Sequence, residues 1–211
     1  SAAESNGDGI TVNLELRNGM AAGAEVIHSK ATALLTDRLP SAPNFDIPAD
    51  LRNAAYGRDV AHIYADILFH GHALQGIRRV RGCTPKGMLA DLSTAPTPGA
   101  WIQKPPRNRW IADPLVMDGA FQMASLWCYE ETGRVSLPSF SASYRQYCRR
   151  FPDHPVQAVL VVRDVSRHKL VGDFTFIDQD GTVLATMRGY EAVMEDRLIR
   201  AFKPERYAAG R

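Results

Sequence analysis

The segment that most limits what this chain can become runs from Asp113 to Gly133, DPLVMDGAFQMASLWCYEETG. Asp113 is a strong helix N-cap, and Pro114 fits the first helical position, where a missing N–H costs nothing. Gly133, after Glu130, Glu131 and Thr132, is a fitting C-terminal stop. Between these caps Leu115, Val116, Met117, Ala120, Phe121, Met123, Ala124, Leu126 and Trp127 leave almost no face free of apolar residues. Such a helix has to be wrapped by other structure. The polar exceptions share one side: at about 100° per residue, Gln122, Ser125 and Tyr129 fall within roughly 40° of Asp118. A carboxyl group flanked by Met117, Ala120 and Phe121 has its charged form disfavoured and tends to hold a proton near neutrality, the state a general acid needs. The stripe is therefore either a satisfied core network or a site.

What wraps the helix has to come from the flanking segments. Val156–Val165, Lys169–Ile177 and 182–194 read as consecutive antiparallel strands, with Asp180-Gly181 as a hairpin signal. Residues 75–92 read as a bent hairpin turning at Thr84-Pro85-Lys86-Gly87. Residues 136–151, with Phe140, Tyr144 and Tyr147, read as an irregular strand pair. Residues 49–67 hold a short helical pattern, Val60, Ile63, Tyr64 and Ile67 at i, i+3, i+4 and i+7. Residues 94–106 read as an exposed loop. Further upstream, 10–17 and 25–36 are strand-like runs joined by an Asn18-Gly19 turn, and two strands alone do not make a stable unit. The first ten residues read as a flexible end or expression scar, 40–48 as a proline-rich linker, and the charged 199–211 as a tail.

Two motifs give this layout a family. DPLVMDGAFQ resembles the second hotdog half of the dehydratase domains of polyketide synthases and polyunsaturated fatty acid synthases, which carry Pro, a short apolar run and Asp-x-x-x-Gln or Asp-x-x-x-His on the central helix. LFHGHALQGI, from Leu68 to Ile77, resembles the family's (Tyr/Phe)-(Tyr/His)-Gly-Pro-x-Phe-Gln-Gly segment, with His72 in place of Pro and Leu74 in place of Phe. The resemblance implies an α+β hotdog fold, an antiparallel sheet around one long helix. Residues 49–198 would form the second half of a double hotdog, with its central helix at about 113–132, and 1–39 the end strands of the first.

It also implies an activity, dehydration of a 3-hydroxyacyl thioester on an acyl carrier protein to the 2-enoyl thioester. Asp118 would be the general acid and Gln122 would orient it, while His70, Gly71, Gln75 and Ser125 would bind substrate. The family's general base is a His in a His-x-x-x-Gly-x-x-x-x-Pro motif of the first hotdog. His72-x-x-x-Gly76 begins like that motif but meets Arg81 where Pro is required, and His28 is an isolated strand histidine. Three explanations stand open: the base lies in an upstream segment, another chain supplies it, or the domain is a non-catalytic carrier-binding or scaffold module. A product-template-like cyclase is a further alternative. No metal or organic cofactor is required, since the phosphopantetheine belongs to the substrate. The implied partners are an acyl carrier protein, other synthase domains and a second copy through the parent synthase. Arg78, Arg79 and Arg81 suit either a solvated sheet edge or that phosphate.

Composition narrows the remainder. A net charge of +2 gives no mandate for nucleic acid, and no apolar run reaches the roughly 20 residues that span a bilayer. Cys83, Cys128 and Cys148 are odd in number and lack metal spacing, which reads as reduced thiols in a cytoplasmic protein.

Overall fold

The computed structural model describes residues 3–6, 9–18 and 26–202. The backbone divides at Pro40/Ser41 into two compact units. The first is a three-stranded antiparallel sheet, β1 (Ala3–Asn6), β2 (Gly9–Arg17) and β3 (Ile27–Leu35), in that order. Across β2 and β3 the Thr32 hydroxyl donates to Asn13 Oδ1 at 2.9 Å, and Lys30 pairs with Glu15 at 3.2 Å. β1 lies where a flexible end was expected; it is held by pairing from Ala3↔Val12 to Asn6↔Gly9. Asn18 accepts from Val26 N–H, but the Gly19 half of the expected turn and Glu25 lie outside the described residues.

The second unit carries the hotdog fold. Short helices α1 (Ala49–Asn53) and α2 (Val60–Asp66) lead through a one-turn 3-10 segment at His72–Leu74 into β4 (Ile77–Thr84) and β5 (Gly87–Leu92). A short α3 (Pro98–Trp101) interrupts the expected loop, and the long helix α4 (Pro114–Thr132) follows. Four strands complete the sheet, β6 (Ser136–Gln146), β7 (Val156–Val165), β8 (Lys169–Ile177) and β9 (Val183–Met194), and α5 (Leu198–Phe202) opens the segment read as a tail. Phe202 is buried.

The ends of α4 are those its sequence dictates. Asp113 Oδ1 accepts from Leu115 N–H at 3.0 Å and Val116 N–H at 2.9 Å, and the same carboxyl group takes Ala95 N–H at 2.9 Å. Gly133 sits at φ 72°, ψ 9°, the left-handed conformation that closes a helix and that a side chain resists. Between the caps Val116, Ala120, Met123, Ala124, Leu126 and Trp127 are buried against β-strand residues such as Leu92, Leu160, Phe174 and Met187. The Trp127 indole donates to Thr84 O at 2.9 Å, pinning the helix to the β4–β5 turn.

The six-stranded sheet runs β4-β5-β7-β8-β9-β6, antiparallel throughout. Residues 136–151 are thus not a strand pair. β6 is one strand, and its partner is β9, with Ser136 opposite Met194 and Gln146 opposite Ala185. Both outermost strands are irregular: β4 has register shifts at Ile77/Arg79 and Val80/Gly82, and β6 has one at Pro138/Phe140.

Candidate active site

The N-terminal half of α4 places Asp118 and Gln122 one turn apart on the same face. The loop from His70 to Gly76 then passes close over that face. Gly76 makes the approach possible: a Cβ there would lie 3.0 Å from Gly119 Cα and 3.1 Å from Leu115 O. Two backbones thus meet at glycines, and the loop's N–H and C=O groups come within reach of the helix side chains.

Gln122 is the hub. Its Nε2 donates to Asp118 Oδ2 at 2.6 Å and to Leu74 O at 2.7 Å. Its Oε1 accepts from the Tyr64 hydroxyl at 2.5 Å and from Gly76 N–H at 3.2 Å. An amide has two donors and two acceptor sites, and all four are filled. Gln122 is 1% exposed, so its amide is shielded from bulk water. Tyr64, on α2, also accepts from Ile77 N–H at 2.7 Å. Burial lifts its phenol well above the usual tyrosine range; the Ile77 N–H works against that rise and the nearby Asp118 charge adds to it.

Asp118 differs from its neighbour in openness. Its side chain is 35% exposed, less enclosed than the apolar flanks Met117, Ala120 and Phe121 led one to expect. On its other side His70 Nε2 lies 3.6 Å from Oδ2, with the His70 side chain 11% exposed and its ring stacked on Phe69 at 4.2 Å between centroids. A carboxyl group with one oxygen held by an amide, an imidazole 3.6 Å away and part of its surface open is placed to exchange a proton with a bound molecule.

The remaining sequence-derived candidates divide. Gln75 Nε2 donates to His70 O at 3.4 Å, so it braces the loop. Gly71 caps the 3-10 turn at φ −67°, and a Cβ there would meet nothing within 4 Å, so it borders open space. Ser125 does not join the cluster: it is buried two turns along α4, and its Oγ accepts from Ser136 N–H at 3.2 Å, where it holds the start of β6. Tyr129 is likewise remote, with the Arg58 guanidinium 5.9 Å over its ring. His72 is exposed at the head of the 3-10 turn. Tyr64 is the residue that sequence reasoning passed over, because its aromatic body satisfied an apolar helical period and nothing marked its hydroxyl. Among the described residues no group of three or more His, Cys, Asp and Glu could hold a metal ion, and no helix is long and apolar enough to cross a membrane.

Comparison with known proteins gives the chain its family and its fold. Residues 42–200 match the family model described as polyketide synthase dehydratase N-terminal domain. No curated protein matches the chain. Among solved structures, a trans-AT PKS dehydratase domain from Brevibacillus brevis is 24% identical with a TM-score of 0.67, covering 92% of this chain and 67% of that one. Two structures of the CurK dehydratase are each 18% identical and cover 88% of this chain and 64% of that one, with TM-scores of 0.66 and 0.65. Both are described as inactive mutants, one with a histidine replaced by phenylalanine and one with an aspartate replaced by asparagine. At these identities the structures establish the fold. The chain spans about two thirds of their length.

Proposed function

The chain belongs to the polyketide synthase dehydratase family, and from that premise we propose that it takes part in removing water from a 3-hydroxyacyl thioester carried on an acyl carrier protein. The observation that carries the reading is the Asp118 carboxyl group, one-third open and held by Gln122 at 2.6 Å beneath the His70 loop.

The chemistry needs two groups. A base removes the weakly acidic proton at C2, the electrons of that C–H bond become the C2–C3 π bond, and the C3 hydroxyl leaves with its electron pair. Asp118 in its carboxylic acid form protonates that oxygen, so water departs and a carboxylate remains. The Gln122 N–H then stabilises the new charge at Oδ2 through a charge-assisted bond. We assign the base to a histidine of a first hotdog half, in a His-x-x-x-Gly-x-x-x-x-Pro segment that these 211 residues do not contain. The CurK dehydratases described as inactive, one altered at a histidine and one at an aspartate, support a need for both residue types in such a site. His70, Gly71 and Gln75 would border the acyl and pantetheine path. The hydroxyl, the thioester and the enzyme's own acid and base supply all the atoms of the reaction.

The test is dehydration of a 3-hydroxybutyryl pantetheine thioester, read by mass spectrometry as loss of water. It compares this chain with a longer protein that carries the His-x-x-x-Gly-x-x-x-x-Pro segment upstream. Turnover in the longer protein, abolished by Asp118→Asn with the fold intact, is the expected result. Absence of turnover in both, with carrier protein still bound, would replace this reading with a non-catalytic carrier-binding module.

A further inference from the structure

The hydrogen bonds around Gln122 have a direction, and it is fixed from outside the site. Gly76 N–H can only donate and Leu74 C=O can only accept. Gln122 lies between them, 3.2 Å from the first through Oε1 and 2.7 Å from the second through Nε2. Turning the amide over would set N–H against N–H and oxygen against oxygen in a place closed to water. Two backbone groups therefore decide which end of the amide faces Asp118, and that end is the donor.

Tyr64 is fixed in the same way. Ile77 N–H donates to the phenol oxygen at 2.7 Å. The hydroxyl's own hydrogen is then free to go to Gln122 Oε1, 2.5 Å away, which has no hydrogen of its own to offer. A single file of donors results: Ile77 N–H to Tyr64 O–H, Tyr64 O–H to the Gln122 carbonyl, Gln122 N–H to Asp118 Oδ2. Each bond polarises the next, so a stronger donation into Oε1 makes Nε2–H a better donor at the far end. The phenol holds its proton throughout, because burial disfavours the phenolate and the Asp118 carboxylate disfavours it further.

We propose that Tyr64 is a positioning residue of this site, which locks and polarises the Gln122 amide so that Asp118 Oδ2 is a permanent acceptor and Oδ1 is the oxygen that carries and delivers the proton. The proposal rests on the dehydratase reading for its function but not for its geometry. In a neutral carboxyl group the carbonyl oxygen is the better acceptor, so an oxygen committed to accepting from Gln122 is the one left without hydrogen. The acid hydrogen is then confined to one oxygen, and with it to one direction of approach to the leaving hydroxyl. Tyr64 does this from a separate helix, with no contact with substrate required.

Two measurements test it, and they fail separately. In the first, the 211-residue chain is labelled with nitrogen-15 and the Gln122 side-chain amide protons, assigned by their loss in Gln122→Met, are followed by NMR. The wild-type pair should be shifted downfield and slow to exchange with solvent. Tyr64→Phe should move it toward the free-amide position and speed its exchange at least tenfold. Placing 3,5-difluorotyrosine at position 64, which keeps the shape and strengthens the O–H donor, should move it the other way, and this arm decides the matter if Tyr64→Phe does not fold. An amide pair unmoved by the fluorinated residue would overturn the proposal. In the second, turnover in the longer, histidine-containing protein should fall about tenfold in kcat with KM within twofold on Tyr64→Phe, the worth of one hydrogen bond. The same change should add nothing further on a Gln122→Met background. Losses that multiply instead would make Tyr64 merely structural and overturn its action through Gln122. If no form of the longer protein turns over, the dehydratase reading falls while the NMR result still decides the role of Tyr64.

Discussion

Replacing Gly76 by alanine would test whether the close approach of the loop to α4 is what assembles the site. The added Cβ would stand 3.0 Å from Gly119 Cα and 3.1 Å from Leu115 O. Both are backbone atoms of a buried helix and neither can swing aside. To regain ordinary contact the loop has to lift by roughly 0.4 Å. The Gly76 N to Gln122 Oε1 distance, 3.2 Å now, would then reach about 3.6 Å, beyond a useful hydrogen bond. Overpacking and the lost buried bond together come to roughly 2–3 kcal/mol. For a unit of this size, with a urea dependence of about 2 kcal/mol per molar, the unfolding midpoint should fall by roughly 1 M. Tryptophan fluorescence during urea titration reads this directly, since Trp127 is buried in the same core. Gly71→Ala is the matched control, because its Cβ would meet nothing within 4 Å and its φ of −67° suits alanine. If Gly76→Ala melts together with Gly71→Ala, the close approach is not what the site depends on, and the argument from backbone proximity is wrong.

Three further outcomes follow from two carboxyl groups that hold α4, Asp113 and Glu130. Asp113→Ala removes the acceptor of three backbone N–H groups, at Leu115, Val116 and Ala95, and should cost about 2–4 kcal/mol in the same urea titration. Burial raises the Asp113 carboxyl above the usual aspartate range despite those donors, so the folded chain takes up a proton there before the unfolded one does. The stability of wild type relative to Asp113→Asn should therefore decline as pH rises through that raised value. Glu130 has the opposite sign. Burial alone would raise it, but Arg58 at 2.9 Å and the Tyr56 hydroxyl at 2.7 Å outweigh burial and lower it. Its contribution should be present above the usual glutamate range and be lost as pH falls through the lowered value, seen as a shrinking gap between wild type and Glu130→Gln in acid melts.

The parts of this molecule that were legible in sequence carry their own local physics. Asp113-Pro114 and Gly133 fix the ends of α4 because each residue prefers the backbone conformation it occupies there. Asp118 and Gln122 were legible as a pair because four residues is one helical turn. β6 was not legible as one strand, because Pro138 and a register shift interrupt it, its alternating Ser-Phe-Ser-Ala-Ser-Tyr run is largely exposed, and its partner β9 lies some forty residues later in the chain. Ser125 shares the helical angle of Asp118, but rise along the axis carries it two turns away, to the start of β6. Tyr64 and the bracing loop were invisible for another reason: a hydroxyl on an apolar stripe and backbone groups in a loop leave no trace in composition or period. The site's orientation is set largely by those groups.

The irregular outer strands have a consequence for life at close quarters. A regular edge offers a ladder onto which a neighbouring chain can add a strand. β4 breaks that ladder twice and presents Arg78 and Arg79 outward, and β6 breaks it beside Pro138, which has no N–H to give. Each end of the sheet is thereby a poor template, so copies held side by side at high local density can touch without zipping together. The sheet's size is capped by its own last strands.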